Sequence, residues 1–119
     1  MNEARFTIYG ECASKANSRR LTYNKGKPRF IKSEKALTFE QETRLQAPRL
    51  NRLLEGELTA SIKIYYKNNR PDLDESVVLD ALQDIIYKND RQVREKHVYH
   101  AIDKQNPRVE VYIRPRGQQ

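Results

Sequence analysis

Between residues 57 and 67 the sequence alternates apolar and polar side chains more regularly than anywhere else in the chain. The apolar face would consist of Leu58, Ala60, Ile62, Ile64 and Tyr66. Because successive side chains of a β-strand point to opposite faces, this segment predicts a strand that is buried on one face only. A half-buried strand needs a covering layer, so the segment points to a sheet with helices packed against it.

Weaker patterns supply the other elements. Residues 5–9, 93–102 and 109–113 read as strands, and Asn68-Asn69-Arg70-Pro71 reads as a loop. A helix is predicted from Glu75 to Tyr87 because the apolar residues within it fall at helical spacing. A second helix would open at a capping box formed by Thr38 and Gln41 and end or kink at Pro48, with its apolar stripe continued by Leu50, Leu53 and Leu54.

These elements predict one α+β domain over residues 1–119, with a small mixed β-sheet, packed amphipathic helices and a frayed tail from Pro115 to Gln119. No apolar run exceeds three residues and no secretory signal is evident, so we expect a soluble, cytoplasmic protein that does not enter membranes. The single cysteine, Cys12, excludes an internal disulfide and a zinc site of paired thiolates.

The chain carries 23 Lys and Arg against 16 Asp and Glu, a net charge of +7, and much of the excess lies in one segment. Residues 13–33 contain no acid, and Gly26 and Pro28 mark a turn, so we interpret the segment as a basic loop. Its cations are Lys15, Arg19, Arg20, Lys25, Lys27, Arg29 and Lys32. Such a cluster favours a polyanionic partner, nucleic acid first, and the interspersed Tyr23 and Phe30 could stack on exposed bases.

Asp72 and Asp74 lie two residues apart, just after Pro71 and before the predicted helix. In an extended backbone their carboxylates would project to the same side and could share one hard divalent cation such as Mg²⁺. The alternative is structural: Asp74 would cap the helix and Asp72 would favour its positive N-terminal end.

A third acid, Asp90, follows in the turn Lys88-Asn89-Asp90-Arg91, where an Asn-Asp pair could also be purely structural. Twelve helical residues would carry the chain roughly 18 Å from Asp74, and four extended residues return at most about 14 Å. Asp90 can therefore join the other two acids only if the helix ends early or a second subunit supplies it. A composite site in a dimer is one hypothesis.

The run Arg70-Pro71-Asp72-Leu73-Asp74, then Leu79-Asp80-Ala81-Leu82, then Asp90-Arg91-Gln92-Val93 resembles the signature of RusA-family Holliday junction resolvases. Chain length, basic character and the closing segment 107–111 agree with that family. These are small dimeric, Mg²⁺-dependent endonucleases common in phages and prophages. The resemblance implies a RusA-like fold, a homodimer, and a four-way DNA junction as substrate.

The resemblance also implies that Asp72, Asp74 and Asp90 hold Mg²⁺, with Mn²⁺ as a substitute, and carry out catalysis. Besides the basic segment, Arg70, Lys88 and Arg91 are expected to contact DNA. Two positions depart from the family: Glu75 replaces an asparagine and Val78 replaces a lysine. Lys15, Arg70, Lys88 or Arg91 would have to supply the missing charge. The alternative is a catalytically weak or inactive protein that binds branched DNA.

Overall fold

A computed structural model describes residues 2–117 and shows a mixed four-stranded sheet, a separate β-hairpin and two α-helices. In chain order these are β1 (Ala4–Tyr9), β2 (Arg19–Asn24), β3 (Lys27–Lys32), α1 (Glu34–Gln46), β4 (Leu58–Tyr66), α2 (Glu75–Ala81), β5 (Val93–Ile102) and β6 (Arg108–Pro115). The sheet order is β1-β6-β4-β5, with β4 parallel to β5 and the other pairs antiparallel. The predicted α+β class and mixed sheet are confirmed.

The alternation in β4 determines where the core lies. Leu58, Ala60, Ile62, Ile64 and Tyr66 are all fully buried. They pack with Ile8 of β1, with Val109, Val111 and Ile113 of β6, and with apolar residues of both helices. Because β4 and β5 are parallel, the chain must cross over between them, and this crossover, residues 67–92, contains α2 and all three predicted catalytic acids.

Helix α1 begins at Glu34, four residues before the predicted start at Thr38. Ser33 is the actual N-cap, and its hydroxyl accepts a 3.1 Å hydrogen bond from the Ala36 N–H. The helix ends at Gln46, before Pro48, as predicted. The predicted continuation of its stripe is wrong: the Leu54 N–H donates to the Ile86 carbonyl, which draws that segment into pairing with the crossover.

Helix α2 is shorter than predicted, because it ends at Ala81 rather than Tyr87. Asp84 adopts a left-handed conformation with φ of 66°, and its N–H donates to the Tyr87 carbonyl at 2.7 Å. The Tyr87 hydroxyl turns back onto the helix and donates to the Leu79 carbonyl at 2.5 Å. Ile86 and Tyr87 are buried through this turn, so their apolar spacing reflects core packing and not helix.

The sequence predicts a loop for the basic segment, and this prediction is wrong. The segment forms a short 3₁₀ turn followed by the hairpin β2–β3. Lys25 and Gly26 both have positive φ, 55° and 78°, which is the backbone of a two-residue type I′ turn. The predicted frayed tail is wrong at Pro115, which belongs to β6, and at Arg116, which forms an ion pair with Glu57. Gln118 and Gln119 lie outside the described residues. No helix between residues 2 and 117 is both long and apolar enough to cross a membrane.

Candidate active site

The backbone at Asp72 is in contact with Tyr66, the last residue of β4. The buried Tyr66 hydroxyl lies 3.3 Å from the Asp72 carbonyl, which also accepts a 3.3 Å hydrogen bond from the Lys15 N–H. Burial raises the pKa of Tyr66, so its hydroxyl remains a proton donor at neutral pH. The backbone of Asp72 is thus fixed by the sheet and by the N-terminal segment, while the residue itself is exposed.

Asp74 occupies the N-cap position of α2, but its side chain makes no capping hydrogen bond. The residue is only 6% exposed, and within residues 2–117 the one hydrogen-bond partner of its carboxylate is the Ser76 hydroxyl, which donates to Oδ1. In the structural alternative, the Asp74 carboxylate would cap α2 by accepting a hydrogen bond from the helix backbone. It accepts none, and the capping alternative is therefore wrong for Asp74. The Asp74 carboxylate therefore keeps oxygen lone pairs that no hydrogen bond uses. Such oxygens are the ligands that a hard divalent cation needs.

Asp90 begins a 3₁₀ turn, Asp90–Gln92, that leads directly into β5. Gln92 organises this turn. Its Oε1 accepts from the Lys88 and Asn89 N–H groups at 3.1 and 3.0 Å, and its Nε2 donates to the Leu54 and Gly56 carbonyls at 3.0 and 3.1 Å. The first two hydrogen bonds close the turn itself, and the other two tie it to the segment before β4. Of the Asn-Asp pair, Asn89 has the structural function, because its side chain accepts a hydrogen bond from the Arg91 N–H. The Asp90 carboxylate takes no part in this hydrogen bond.

We expect Gln92→Leu to destabilise the fold, because it leaves two N–H groups and two carbonyls without the partner they have now. The expected loss is about 1–3 kcal/mol of unfolding free energy. Urea denaturation measures this loss. Gln105→Leu is the matched control, since the Gln105 side chain forms no hydrogen bond within residues 2–117. An equal midpoint for Gln92→Leu and wild type would contradict the assigned role.

The early end of α2 removes the geometric obstacle that a helix to Tyr87 would create. Even so, no group of three or more acid, His or Cys side chains among the described residues is arranged to hold a metal ion in a single copy of the chain. Asp90 instead connects to the segment just after α2, because its N–H donates to the Gln83 side chain at 3.0 Å.

Strand β5 brings further polar residues to the acid segment, and the sequence alone did not indicate them. Lys96 Nζ lies 3.0 Å from Glu75 Oε2, and His100 Nε2 lies 3.1 Å from the Pro71 carbonyl oxygen. Burial raises the pKa of Glu75, but hydrogen bonds from its own backbone and from Lys96 outweigh this effect and lower the pKa below its ordinary value. Glu75 is therefore an anion paired with Lys96. The one feature of the sequence that could have indicated Lys96 and His100 is that positions 96, 98 and 100 share one face of a strand.

Two residues near the acids belong to the core. Val78 is fully buried, so the departure from the family's lysine reflects packing at this position. Cys12 is also fully buried, and its thiol lies 3.4 Å from the Ala13 carbonyl. Burial raises the pKa of this thiol far above its ordinary value, so Cys12 is not a nucleophile at neutral pH.

The predicted DNA-binding cations fall into two groups. Most are exposed and form no ion pair within the described part of the chain: Lys15, Arg19, Arg20, Lys25, Lys27, Arg29, Arg70 and Arg91. Lys88 pairs with the exposed Asp84 at 2.9 Å, and Lys32 pairs with both Asp80 and Glu40. Burial lowers the pKa of Lys32, but hydrogen bonds to these two carboxylates more than compensate and raise it.

Acids on a sheet crossover and a cationic hairpin on the same domain are features that a nucleic-acid phosphodiester hydrolase needs. A family model described as endodeoxyribonuclease RusA matches residues 11–114 of the 119-residue chain. The chain belongs to this family of Holliday junction endodeoxyribonucleases, hydrolases that act on phosphodiester bonds and are generally dependent on a divalent metal. None of the curated proteins compared with the chain matches it.

Proposed function

We propose that this chain nicks four-way DNA junctions in a Mg²⁺-dependent reaction, with Mn²⁺ as a substitute, and that it works as a homodimer. The observation that carries the proposal is Asp74, a buried carboxylate that occupies a helix N-cap without capping the helix. Together with Asp72 and Asp90 it supplies oxygen donors of the kind that bind hard divalent cations. As a phage- or host-encoded resolvase the protein would act in the bacterial cytoplasm.

In the proposed reaction each acid has a distinct support. Tyr66 and Lys15 fix the backbone of Asp72, Ser76 orients the carboxylate of Asp74, and Gln92 holds the turn that carries Asp90. A divalent cation held by these acids would supply an activated water and would stabilise charge on the phosphoryl oxygens. The backbone of Lys15 contacts that of Asp72 and its side chain is exposed, so in this proposal Lys15 replaces the charge that the buried Val78 cannot provide. Lys96, next to Glu75, adds a second positive charge beside the acids.

The hairpin forms the proposed DNA interface, because its two faces differ in chemistry. The strand register places Leu21 opposite Phe30 and Tyr23 opposite Pro28 on one face, and Thr22 opposite Arg29 and Asn24 opposite Lys27 on the other. Leu21, Tyr23 and Phe30 are 48%, 67% and 75% exposed. Aromatic side chains can stack on unpaired bases at the crossover point, while the cations neutralise phosphates of the flanking arms.

We expect millimolar Mg²⁺ to raise the melting temperature of wild type more than that of Asp72→Asn. Clustered carboxylates repel one another, and a bound cation that occurs only in the folded state stabilises the fold by mass action. Differential scanning fluorimetry with and without Mg²⁺ measures both shifts, and Glu42→Gln on the exposed side of α1 serves as the control for lost negative charge. Equal shifts in wild type and Asp72→Asn would count against the metal assignment.

A dimer is part of the proposal because a twofold-symmetric enzyme can place paired nicks in opposing strands of a junction. It also allows Asp90 of one subunit to complete the site of the other. Light scattering gives the oligomeric state, and a junction-cleaving monomer would exclude the composite site.

The second candidate function is a branched-DNA-binding protein without catalysis, and the observation that favours it is the buried Val78 in place of a family lysine. A cleavage assay on a synthetic four-way junction with Mg²⁺ distinguishes the two. Nicks in wild type support the enzyme, whereas junction binding without nicks supports the inactive protein.

A further inference from the structure

A continuous series of side-chain contacts connects the base of the hairpin to the turn that carries Asp90. Lys32, the last residue of β3, forms an ion pair with Asp80 Oδ2 on α2. The other oxygen of that carboxylate, Oδ1, accepts a 3.0 Å hydrogen bond from Gln83 Nε2. Gln83 Oε1 in turn accepts a 3.0 Å hydrogen bond from the Asp90 N–H. The contacts therefore run from Lys32 through Asp80 and Gln83 to the backbone of Asp90.

The direction of each hydrogen bond in this series is fixed by chemistry. A carboxylate can only accept, so the NH₂ group of Gln83 must face Asp80. The amide oxygen of Gln83 then faces the Asp90 N–H, which can only donate. Reversing the amide would break both hydrogen bonds at once. Asp80 therefore determines which end of Gln83 is presented to Asp90.

The same hairpin base also lies near the hydrogen-bond partner of Asp74. Arg19 and Lys32, at the two ends of the hairpin that meet the domain, line one small cleft together with Glu40, Ser76 and Asp80. Ser76 is the residue whose hydroxyl donates to Asp74. The hairpin base thus lies beside the residue that contacts Asp74, and its contacts through Asp80 and Gln83 reach Asp90. The side chains of Lys32 and Asp80 are 34% and 31% exposed, so the ion pair lies at the surface and is open to an approaching phosphate.

We propose that Asp80 and Gln83 are positioning residues, through which the DNA-binding hairpin and the Asp90 turn are coupled. They act by holding the Asp90 backbone in the position it has when Lys32 is paired with Asp80. The consequence for activity rests on the proposed nuclease function, whereas the coupling itself is a property of the folded chain.

The test is amide hydrogen exchange at Asp90, measured by NMR on ¹⁵N-labelled protein without DNA. Gln83→Leu removes the acceptor and should speed exchange at Asp90 about five- to tenfold, the change expected for one hydrogen bond. Lys32→Met should speed it roughly two- to fivefold, because the unpaired Asp80 no longer holds Gln83. Lys32→Arg restores a cation at that position and should return exchange to the wild-type rate.

The matched controls are Gln41→Glu on α1 and Asp84→Asn, which alter polar side chains on exposed positions without touching this series. Exchange at the β4 amides serves as the internal reference for global opening. The proposal is overturned if Asp90 exchanges at the wild-type rate in Gln83→Leu. It is equally overturned if Lys32→Arg behaves like Lys32→Met, or if β4 amides speed up as much as Asp90.

On a four-way junction, Gln83→Leu should lower the nicking rate of the saturated complex by roughly ten- to hundredfold and leave the dissociation constant unchanged. A wild type that nicks nothing would refute the proposed function, while the exchange data would still decide the positioning role. Unchanged nicking with fast Asp90 exchange would show that the Asp90 position is irrelevant to the reaction and would overturn the role assigned here.

Discussion

Asp74→Asn is expected to abolish nicking of a four-way junction while it leaves junction binding intact or slightly tighter. The substitution keeps the size of a side chain that is only 6% exposed, and the amide oxygen can still accept from the Ser76 hydroxyl. What is lost is the negative charge that would hold a divalent cation. Loss of a group that stabilises charge at the reacting phosphate lowers the rate by on the order of 10²- to 10³-fold.

The measurement compares wild type and Asp74→Asn on a synthetic mobile junction at one salt concentration, with gel-based nicking and fluorescence anisotropy on the same preparations. Asp84→Asn is the control, because it removes an exposed carboxylate after α2 and Asn tolerates the left-handed backbone at that position. Nicking by Asp74→Asn at the wild-type rate would contradict the assignment of this carboxylate. Loss of nicking in the Asp84→Asn control would show that charge removal alone is responsible.

Replacing Arg20, Lys25, Lys27 and Arg29 together by Gln is expected to weaken junction binding by roughly 10²- to 10³-fold at low salt. These four cations lie along the hairpin, are exposed, and form no ion pair within residues 2–117, so their charge is available to phosphates. Each phosphate contact releases counterions, and the slope of log K against log salt should flatten by up to about 3 to 4.

Fluorescence anisotropy across a salt series measures the affinity and the slope together. The control removes the same number of charges from exposed cations elsewhere, Arg49, Arg52, Lys63 and Lys104. Binding that falls equally in both variants would show that net charge, and not the hairpin, determines affinity. A hairpin variant with an unchanged salt slope would contradict the proposed interface.

The sequence predicted the sheet well because strand signals are local. The alternation in residues 57–67 identified β4 and its buried face, and each side chain in that pattern depends only on its position in one strand. The α+β class followed from the same kind of pattern. Family membership was also readable, since the acids and the residues after them are contiguous motifs.

The errors came where distant contacts override local pattern. The predicted helix α2 was six residues too long, because Ile85 and Ile86 keep helical spacing in the sequence. In the structure the left-handed Asp84 and the hydrogen bond of the Tyr87 hydroxyl turn the chain back before these residues can continue the helix. The basic segment concealed a hairpin because cations at seven of its 21 positions obscure the strand pattern, and only its Lys25-Gly26 turn reveals the backbone geometry.

The candidate site shows the same division between local and distant information. The three acids were predicted from motif and resemblance, and their catalytic roles stay predictions. The residues that hold them were not found, because Tyr66, Gln83 and Gln92 each form a decisive hydrogen bond with a partner that is 6, 7 or 38 residues away in sequence. Spacing along the chain carries no information about such contacts.

The central claim, that Asp72, Asp74 and Asp90 form one metal site, is tested most directly by paramagnetic broadening with Mn²⁺. Amide resonances of residues 72–75 and 90–91 are recorded during a substoichiometric Mn²⁺ titration of ¹⁵N-labelled protein. We predict that both segments lose intensity at the same Mn²⁺ concentration and before the rest of the chain, whether one subunit or two supply the ligands. Loss at 72–75 while 90–91 retain full intensity would contradict the claim.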